Sequence, residues 1–215
     1  MAKDGLGIIV VGVVLALVLT TGAVIKEFWL LKALAFLSWI FLGFSLYFFR
    51  DPERTIPSGE DLIVSAGDGT VIEIKQVFEE QYLKAQAIQV SIFLSVFNVH
   101  INRVPMSGRV GFFHYQRGKF VQAYKHSASK ENEQTIIGIE NEHAKLVVKQ
   151  IAGILARRII CQLKEGDMVS RGARFGMIKF GSRVDLMLPL STEIKVQLHQ
   201  KVKGGETIIA KIKID

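Results

Sequence analysis

Two long apolar runs in the first fifty residues constrain this chain more than any other feature. Residues 5–25 include no charged side chain, and neither do residues 33–49. A helix rises ~1.5 Å per residue, so the first run spans ~31 Å and matches a ~30 Å hydrocarbon core, while the second is marginal. Lys26 and Lys32 bracket the short connection between the runs. Residues 1–49 are therefore predicted to form an α-helical membrane hairpin.

A secretory signal peptide followed by a single anchor is the alternative interpretation of the same runs. Its apolar region should be shorter, and Lys3-Asp4 makes a poor positive leader. Lys3, Arg50 and Arg54 would lie on one side of the hairpin and two lysines on the other, which favours cytoplasmic ends. The single Cys161 permits no internal disulfide, in keeping with a reducing compartment. We expect a cell-membrane protein whose domain, residues 50–215, lies on the cytoplasmic face.

Residues 50–215 have the pattern of a mainly β domain. Short β-branched segments alternate with glycines, and sustained helical periodicity is lacking. The clearest predicted strands are 71–74, 87–94, 99–104, 146–151, 158–163 and 193–199. Residues 169–172 (VSRG) and 202–205 (VKGG) form a weak internal repeat, with the turn-then-strand pattern of lipoyl-type hairpins. We expect a compact β sandwich or barrel built of such hairpins.

The charge balance points to a lipid partner. Residues 50–215 contain 24 basic and 18 acidic side chains, so a domain held at a bilayer would be attracted to anionic headgroups. No basic-aromatic platform or nucleic-acid reader motif occurs, which argues against nucleic acid as a partner. The histidines lack a spacing typical of metal ligands, so no metal site is predicted. The polar segment 125–135 is expected to be a solvated loop, or a lid if it lies near an active site.

Three short motifs carry residues with catalytic chemistry. Gly181-Ser182 separates two β-prone runs, Asp68 lies between two glycines in VSAGDGTV (64–71), and His100 lies in FNVHINRVP (97–105). Each has a plain structural interpretation: a turn between strands, a hairpin turn, and the polar face of a surface strand. Together they supply an acid, an imidazole and a hydroxyl, the parts with which an oriented histidine deprotonates a serine.

The Gly181-Ser182 pair allows a sharper interpretation, in which the hydroxyl of Ser182 attacks the carbonyl of Gly181 and cuts the chain. Glycine suits this chemistry because no Cβ shields the carbonyl and the backbone can bend into a strained approach. The sequence contains no Gly-x-Ser-x-Gly elbow, which argues against an α/β-hydrolase.

These motifs and their context resemble the phosphatidylserine decarboxylase proenzymes, in particular the short subgroup of bacteria and archaea. The resemblance covers most of residues 50–215, in order, and the apolar leader fits it too. The matching pieces are VSAGDGTV (64–71), FNVHINRVPMSG (97–108), KENEQT (130–135), QIAGILARRI (150–159), EGDMVSRGARFGMIKFGSRVDLMLP (165–189) and KVKGGETI (201–208).

The resemblance implies a self-cleaved enzyme. The chain would be cut between Gly181 and Ser182, Ser182 would become a covalent pyruvoyl group, and the large and small chains would stay together. His100 and Asp68 match the family's imidazole and acid. The implied reaction converts phosphatidylserine to phosphatidylethanolamine and CO2, with the pyruvoyl ketone as the electron sink.

Two departures from the family pattern concern this site. The long forms carry a second histidine three residues after the first, where this chain has Arg103, which we assign to the substrate phosphate. The Ser-Pro-x-Asp-Gly pattern of relatives is Ser-Ala-Gly-Asp-Gly here, around Asp68. Two alternative functions remain: decarboxylation of an archaetidylserine-type lipid, and a non-catalytic, membrane-anchored lipoyl-like adaptor. Whether the protein forms a homo-oligomer stays open.

Overall fold

The computed structural model describes residues 1–119, 121, 131–153, 159–178 and 181–213. The chain divides into two compact units, Met1–Glu53 and Arg54–Asp215. Most of the predicted loop 125–135, namely residues 125–130, lies outside the described residues, and so do residues 179 and 180.

The first unit is a pair of helices. A 3-10 turn, Lys3–Gly5, precedes α1 (Leu6–Ile25), and α2 (Trp29–Phe48) packs back on α1. Both helices have 20 residues and are long and apolar enough to cross a membrane by length and composition. Many of their large apolar side chains are exposed, as expected for helices that bury their surface in lipid. The predicted α-helical hairpin is confirmed.

The second unit is built of short antiparallel strands, which confirms the mainly β class. Its strands are β1 (Leu62–Val64), β2 (Gly69–Glu79), β3 (Ala85–Leu94), β4 (Ile101–Arg103), β5 (Gly108–Gln116), β6 (Gln134–Glu140), β7 (Lys145–Ile151), β8 (Ile159–Cys161), β9 (Met168–Val169), β10 (Arg174–Ile178), β11 (Ser182–Pro189), β12 (Glu193–Ile194), β13 (Lys201–Val202) and β14 (Ile208–Lys211).

Three sheets share these strands. The largest has the order β13-β2-β3-β11-β7-β6-β5-β9 and curls on itself, and the two smaller sheets have the orders β1-β14-β12 and β4-β10-β8. β11 lies inside the large sheet and pairs with β3 on one side and β7 on the other. Val184, Leu186 and Leu188 of β11 point into the main apolar core, since side chains alternate along a strand.

The two copies of the weak repeat adopt the same local structure. Each is a short strand, a turn and a second strand, and the turn glycines Gly172 and Gly205 have left-handed φ angles of 79° and 80°. In each copy the two strands join different sheets. The turns lie against each other, because a Cβ on either glycine would meet the side chain of Ile56. Glycine is required at both turns by conformation as well as by space.

One predicted strand is wrong. The alternating segment 193–199 forms only the two-residue strand β12, and His199 has a left-handed φ of 67°. The amide of Lys195 still donates to Ile209, but a turn then carries the chain across to β2, where the amide of His199 donates to the carbonyl of Val71. The alternating pattern therefore holds only as far as Val196, which is buried, whereas Leu198 is exposed beside the turn.

Candidate active site

Ser182 begins the central strand of the domain. Its Cα partner is Leu94 at the end of β3, and the next residue, Arg183, pairs with Ile151 at the end of β7. The Ser182 side chain is completely buried, and its Oγ makes no hydrogen bond within the described part of the chain. A buried hydroxyl without a partner costs about 1–3 kcal/mol, so the fold retains it at an energetic expense.

Gly181 precedes this strand in a left-handed conformation, with φ of 54°. A Cβ built on Gly181 would meet no atom within 4 Å, so space does not explain the glycine. Conformation does, because residues with a Cβ rarely adopt this region. The bond between Gly181 and Ser182 therefore lies where a bent backbone enters a rigid strand, and its carbonyl carbon has no side chain in front of it.

His100 is fully buried at the start of β4. Its Nδ1 lies 3.0 Å from the carbonyl oxygen of Asn98. A carbonyl only accepts, so Nδ1 must carry the proton that is donated. In a neutral imidazole Nε2 then holds the lone pair, which is the arrangement that a general base needs.

The sheet registers bring His100 and Ser182 to the same edge of the domain. β3 ends at Leu94, opposite Ser182, and the following turn leads directly to His100. Ile101, the next residue, pairs with Met177 of β10, and β10 is the strand that precedes Gly181. The connection from β3 to β4 therefore begins and ends beside the connection from β10 to β11, because β3 pairs with β11 and β4 pairs with β10.

Asp68 also lies at this edge, one residue before β2. Its carboxylate accepts hydrogen bonds from Arg54 and Gly204. Nη2 of Arg54 donates to both oxygens, at 3.0 and 2.8 Å, and the backbone N–H of Gly204 donates to Oδ1 at 2.8 Å. β3 separates β2 from β11. With strands ~4.8 Å apart, this places Asp68 roughly 10 Å from the row of Ser182. The orientation of His100 by Asp68 stays a prediction.

Arg103 is nearly buried, and its Nη1 donates to the carbonyl oxygen of Gly172 at 2.9 Å. Its Cδ lies 2.8 Å from where a Cβ of Gly205 would be. The side chain therefore links the two turns of the internal repeat, which is a structural task. Its assignment to a substrate phosphate stays a prediction.

A chain of buried amides supports the strand that carries His100. Asn102, two residues along β4 on the same face, accepts from Nε2 of Gln150 at 2.7 Å. Oε1 of Gln150 in turn accepts from the hydroxyl of Thr135 at 2.6 Å. All three side chains are essentially inaccessible to solvent. Satisfied networks of this kind select one arrangement, because breaking a single bond leaves a buried polar group unpaired.

The opposite face of β11 holds a buried ion pair directly after Ser182. Nε and Nη2 of Arg183 donate to the two oxygens of Asp185 at 2.5 and 2.9 Å, and Nη2 also donates to Ser91 Oγ at 2.9 Å. Both charged side chains are at most 1% exposed. A two-point ion pair across residues of one strand, bonded to the next, fixes the start of β11 against β3.

Sequence reasoning missed Arg54, Gly204 and Gln150. Gln150 left a signal, since it is a polar residue inside the apolar run of β7. Arg54 left none, because it lies in the polar stretch that follows the apolar runs and its contact with Asp68 depends on the fold.

Two further kinds of reactive group are metal-binding clusters and free thiols, here that of Cys161. No group of three histidine, cysteine, aspartate or glutamate side chains gathers among the described residues. Cys161 lies on β8, opposite Gly176. Burial raises the pKa of its thiol, which keeps the sulfur protonated and poorly nucleophilic.

Comparisons with known proteins agree with one another. A family model described as "Phosphatidylserine decarboxylase" matches residues 41–210. The chain is 46% identical over 197 residues to the phosphatidylserine decarboxylase proenzyme of Carboxydothermus hydrogenoformans, covering 91% of each chain. It is 46% identical to the proenzyme of Chlorobium limicola, covering 84% of each chain. It is 48% identical to that of Amoebophilus asiaticus, covering 78% of this chain and 75% of the other.

The pairing of Arg54 with Asp68 generates a prediction. Arg54→Gln removes the charged donor from Asp68 and should slow the predicted cleavage after Gly181 by roughly 10- to 100-fold, since hydrogen bonds to charged groups are worth about 1.5–3 kcal/mol. The cleavage rate of Arg54→Lys should fall between those of the wild type and Arg54→Gln, because the lysine ammonium keeps the positive charge but lacks the planar set of N–H donors of a guanidinium. The measurement follows freshly synthesised chain over time by gel and intact mass.

Glu206→Gln is the matched control, because Glu206 meets Arg54 only at 3.6 Å and is partly exposed. It should cleave at close to the wild-type rate. Wild-type cleavage in Arg54→Gln would show that this pairing has no bearing on the reaction.

Proposed function

The chain belongs to the phosphatidylserine decarboxylase family, and from that premise we propose that it is a self-processing, pyruvoyl-dependent enzyme of the membrane surface. It is a carboxy-lyase that decarboxylates phosphatidylserine to phosphatidylethanolamine and CO2. The alternatives of an archaetidylserine-type activity and of a non-catalytic adaptor are not favoured. Self-cleavage, the roles of the site residues and the cytoplasmic face are the parts that we propose.

The observation that carries self-cleavage is the buried, unpartnered Oγ of Ser182 next to a left-handed Gly181. In the proposed reaction, His100 Nε2 takes the Oγ proton, Oγ bonds to the carbonyl carbon of Gly181, and the C–N bond breaks as His100 returns that proton to the departing nitrogen of Ser182. An ester replaces the amide. This shift is uphill, and strain in the left-handed residue lowers its cost.

The ester is then removed irreversibly. Loss of the Cα proton of Ser182 breaks the Cβ–Oγ bond and releases Gly181 as a free carboxylate. Water hydrolyses the resulting dehydroalanine to a ketone and ammonia. The residues present fit a pyruvoyl group, because the only atoms that it requires are those of Ser182 at the start of a strand that stays paired on both sides.

A pyruvoyl group supplies a ketone that condenses with the substrate amine and accepts the electron pair released as CO2 leaves. The chain's own contribution is position and proton transfer. β3 and β7 hold the start of β11 in register, and the hydrogen bond from Arg183 to Ser91 ties it to β3. We propose that His100 returns a proton to the decarboxylated carbon.

The first prediction of this proposal concerns the polypeptide. Purified protein should consist of residues 1–181 and 182–215, and the smaller chain should be lighter by one ammonia than its serine-started sequence. Ser182→Ala and His100→Ala should each remain uncut. His114→Ala should be cut normally, because His114 is an exposed histidine on β5. Intact mass spectrometry measures all four proteins, and active material that contains only the uncut chain would contradict the mechanism.

The second prediction concerns the reaction. Cleaved protein incubated with carboxyl-labelled phosphatidylserine in detergent micelles should release labelled CO2, whereas free serine should be a poor substrate. Binding energy from the rest of the lipid is what positions the α-carboxylate for loss. Hydroxylamine, or borohydride added together with substrate, should abolish activity by trapping the ketone. Cleaved protein that retains full activity after such treatment would exclude the pyruvoyl group.

The third prediction concerns topology. α1 and α2 are proposed to cross the membrane as a hairpin that leaves residues 50–215 in the cytoplasm, an orientation that rests on the positions of Lys3, Arg50 and Arg54. Protease added outside intact cells should leave this domain whole, and the same protease should digest it once the cells are opened. Digestion from outside would reverse the orientation.

A further inference from the structure

A rigid turn at the edge of the candidate site holds an aromatic side chain in solvent. Phe97 is 65% exposed, although it is large and apolar. The turn beneath it is closed by the amide of Asn98, which donates to the carbonyl of Ser95 at 2.9 Å. Oδ1 of Asn98 in turn accepts from the amide and the hydroxyl of Ser95, at 2.9 and 2.8 Å. Three internal hydrogen bonds hold the backbone of the turn, and with it the Cα atom of Phe97, in one position.

The position of this turn ties it to the site. Leu94, which opens the turn, is the Cα partner of Ser182. The carbonyl of Asn98, which closes it, accepts from Nδ1 of His100. Phe97 is therefore three residues from the candidate base.

Exposed basic side chains lie at the same edge of the large sheet. Lys201 pairs with Thr70 at the start of β2, and Lys203 follows, 68% exposed, next to the Gly204 amide that binds Asp68. Gln116 is the last residue of β5. Cross-strand pairs join Gln116 to Gln134, Gln134 to Ile151 and Ile151 to Arg183, so Gln116 lies at the same end of the sheet as Arg183. The residues that continue from Gln116 beyond this end of the sheet are exposed Arg117 and Lys119.

Two acids temper this charge without cancelling it. Glu206 lies 3.7 Å from Lys203, and Glu131 lies 3.2 Å from Lys119. Four exposed cations thus face two partly exposed carboxylates along an edge that also presents an aromatic tip. This combination suits an anionic lipid surface, where basic residues meet headgroups and aromatic side chains enter the interface.

We propose that this edge docks on a bilayer leaflet rich in anionic glycerophospholipid, and that Phe97 inserts into its interface. The proposal rests on the proposed function for the identity of the site beside Phe97. It deepens that function by assigning how the substrate reaches a buried centre: the headgroup enters at an edge already seated on the membrane. The protein's positive charge, formally +7, favours the same partner.

The test uses the full chain in vesicles that contain phosphatidylserine. Phe97→Ser should raise the surface concentration of substrate needed for half-maximal turnover by roughly tenfold, the equivalent of losing part of a buried aromatic side chain. Self-cleavage and turnover of a short-chain, monomeric phosphatidylserine should be unchanged. Phe78→Ser is the matched control: Phe78 is 57% exposed but lies at the other end of β2, opposite Gln86. It should behave as wild type on both substrates.

A second readout does not depend on activity. In a Trp29→Phe, Trp39→Phe background, a Phe97→Trp variant should be quenched by brominated lipid, and a Phe78→Trp variant should not. If quenching occurs in a protein that proves inactive, the docking surface stands and the proposed function fails.

Three results would overturn the docking proposal. Phe97→Trp that is not quenched would show that the tip stays out of the lipid. A Phe97→Ser variant impaired equally on both substrates would make the turn a support of the site. Emission at residue 97 that changes with protein concentration and not with lipid would make this edge a contact between two copies of the chain.

Discussion

The pairing of β11 on both of its sides is the constraint on which the site depends. From Ser182 onward every residue of the strand has a Cα partner on β3, and five of them also have one on β7. Arg183 and Asp185 form a buried ion pair near the start of this strand. Arg183 also donates to Ser91 of β3 and lies 3.5 Å from Glu73 of β2, so a slip of the strand would separate a buried charge from these partners at a high cost. Gly181 therefore directly precedes a strand whose position is fixed on both sides.

The same pairing explains how a cut chain can remain one structure. On the C-terminal side of the proposed cut, β11 pairs with β3 and β7, β13 with β2, and β14 with β1. All of these partners precede the cut. Breaking one peptide bond therefore removes none of these ladders, and the hydrophobic core that they enclose contains residues from both sides. A new chain end made at Ser182 would stay where the folding of the whole chain had put it.

Most polar groups around Ser182 have hydrogen-bond partners, whereas the Oγ of Ser182 has none among the described residues. Asp68 has Arg54 and Gly204, His100 has the carbonyl of Asn98, and Asn102 has Gln150. Buried polar atoms in native proteins are nearly always bonded, and within the described residues the Oγ of Ser182 is among the few that are not, together with Nε of Arg54 and of Arg171. An unbonded hydroxyl at this position is what the proposed attack on Gly181 requires.

Local chemistry allowed much to be predicted from the sequence alone. The helical hairpin follows from the length of two apolar runs, and the β class follows from short branched segments between glycines. The Gly181-Ser182 cleavage site stays a prediction. The alternation of 193–199 misled, because the segment leaves its sheet after β12: Val196 is buried, but Leu198 is exposed. The partners of the site lay beyond sequence reasoning: Gly204 reaches Asp68 across 136 residues, and Gln150 reaches Asn102 across 48. Contacts of that range are set by strand order and register, which only the packed tertiary structure decides.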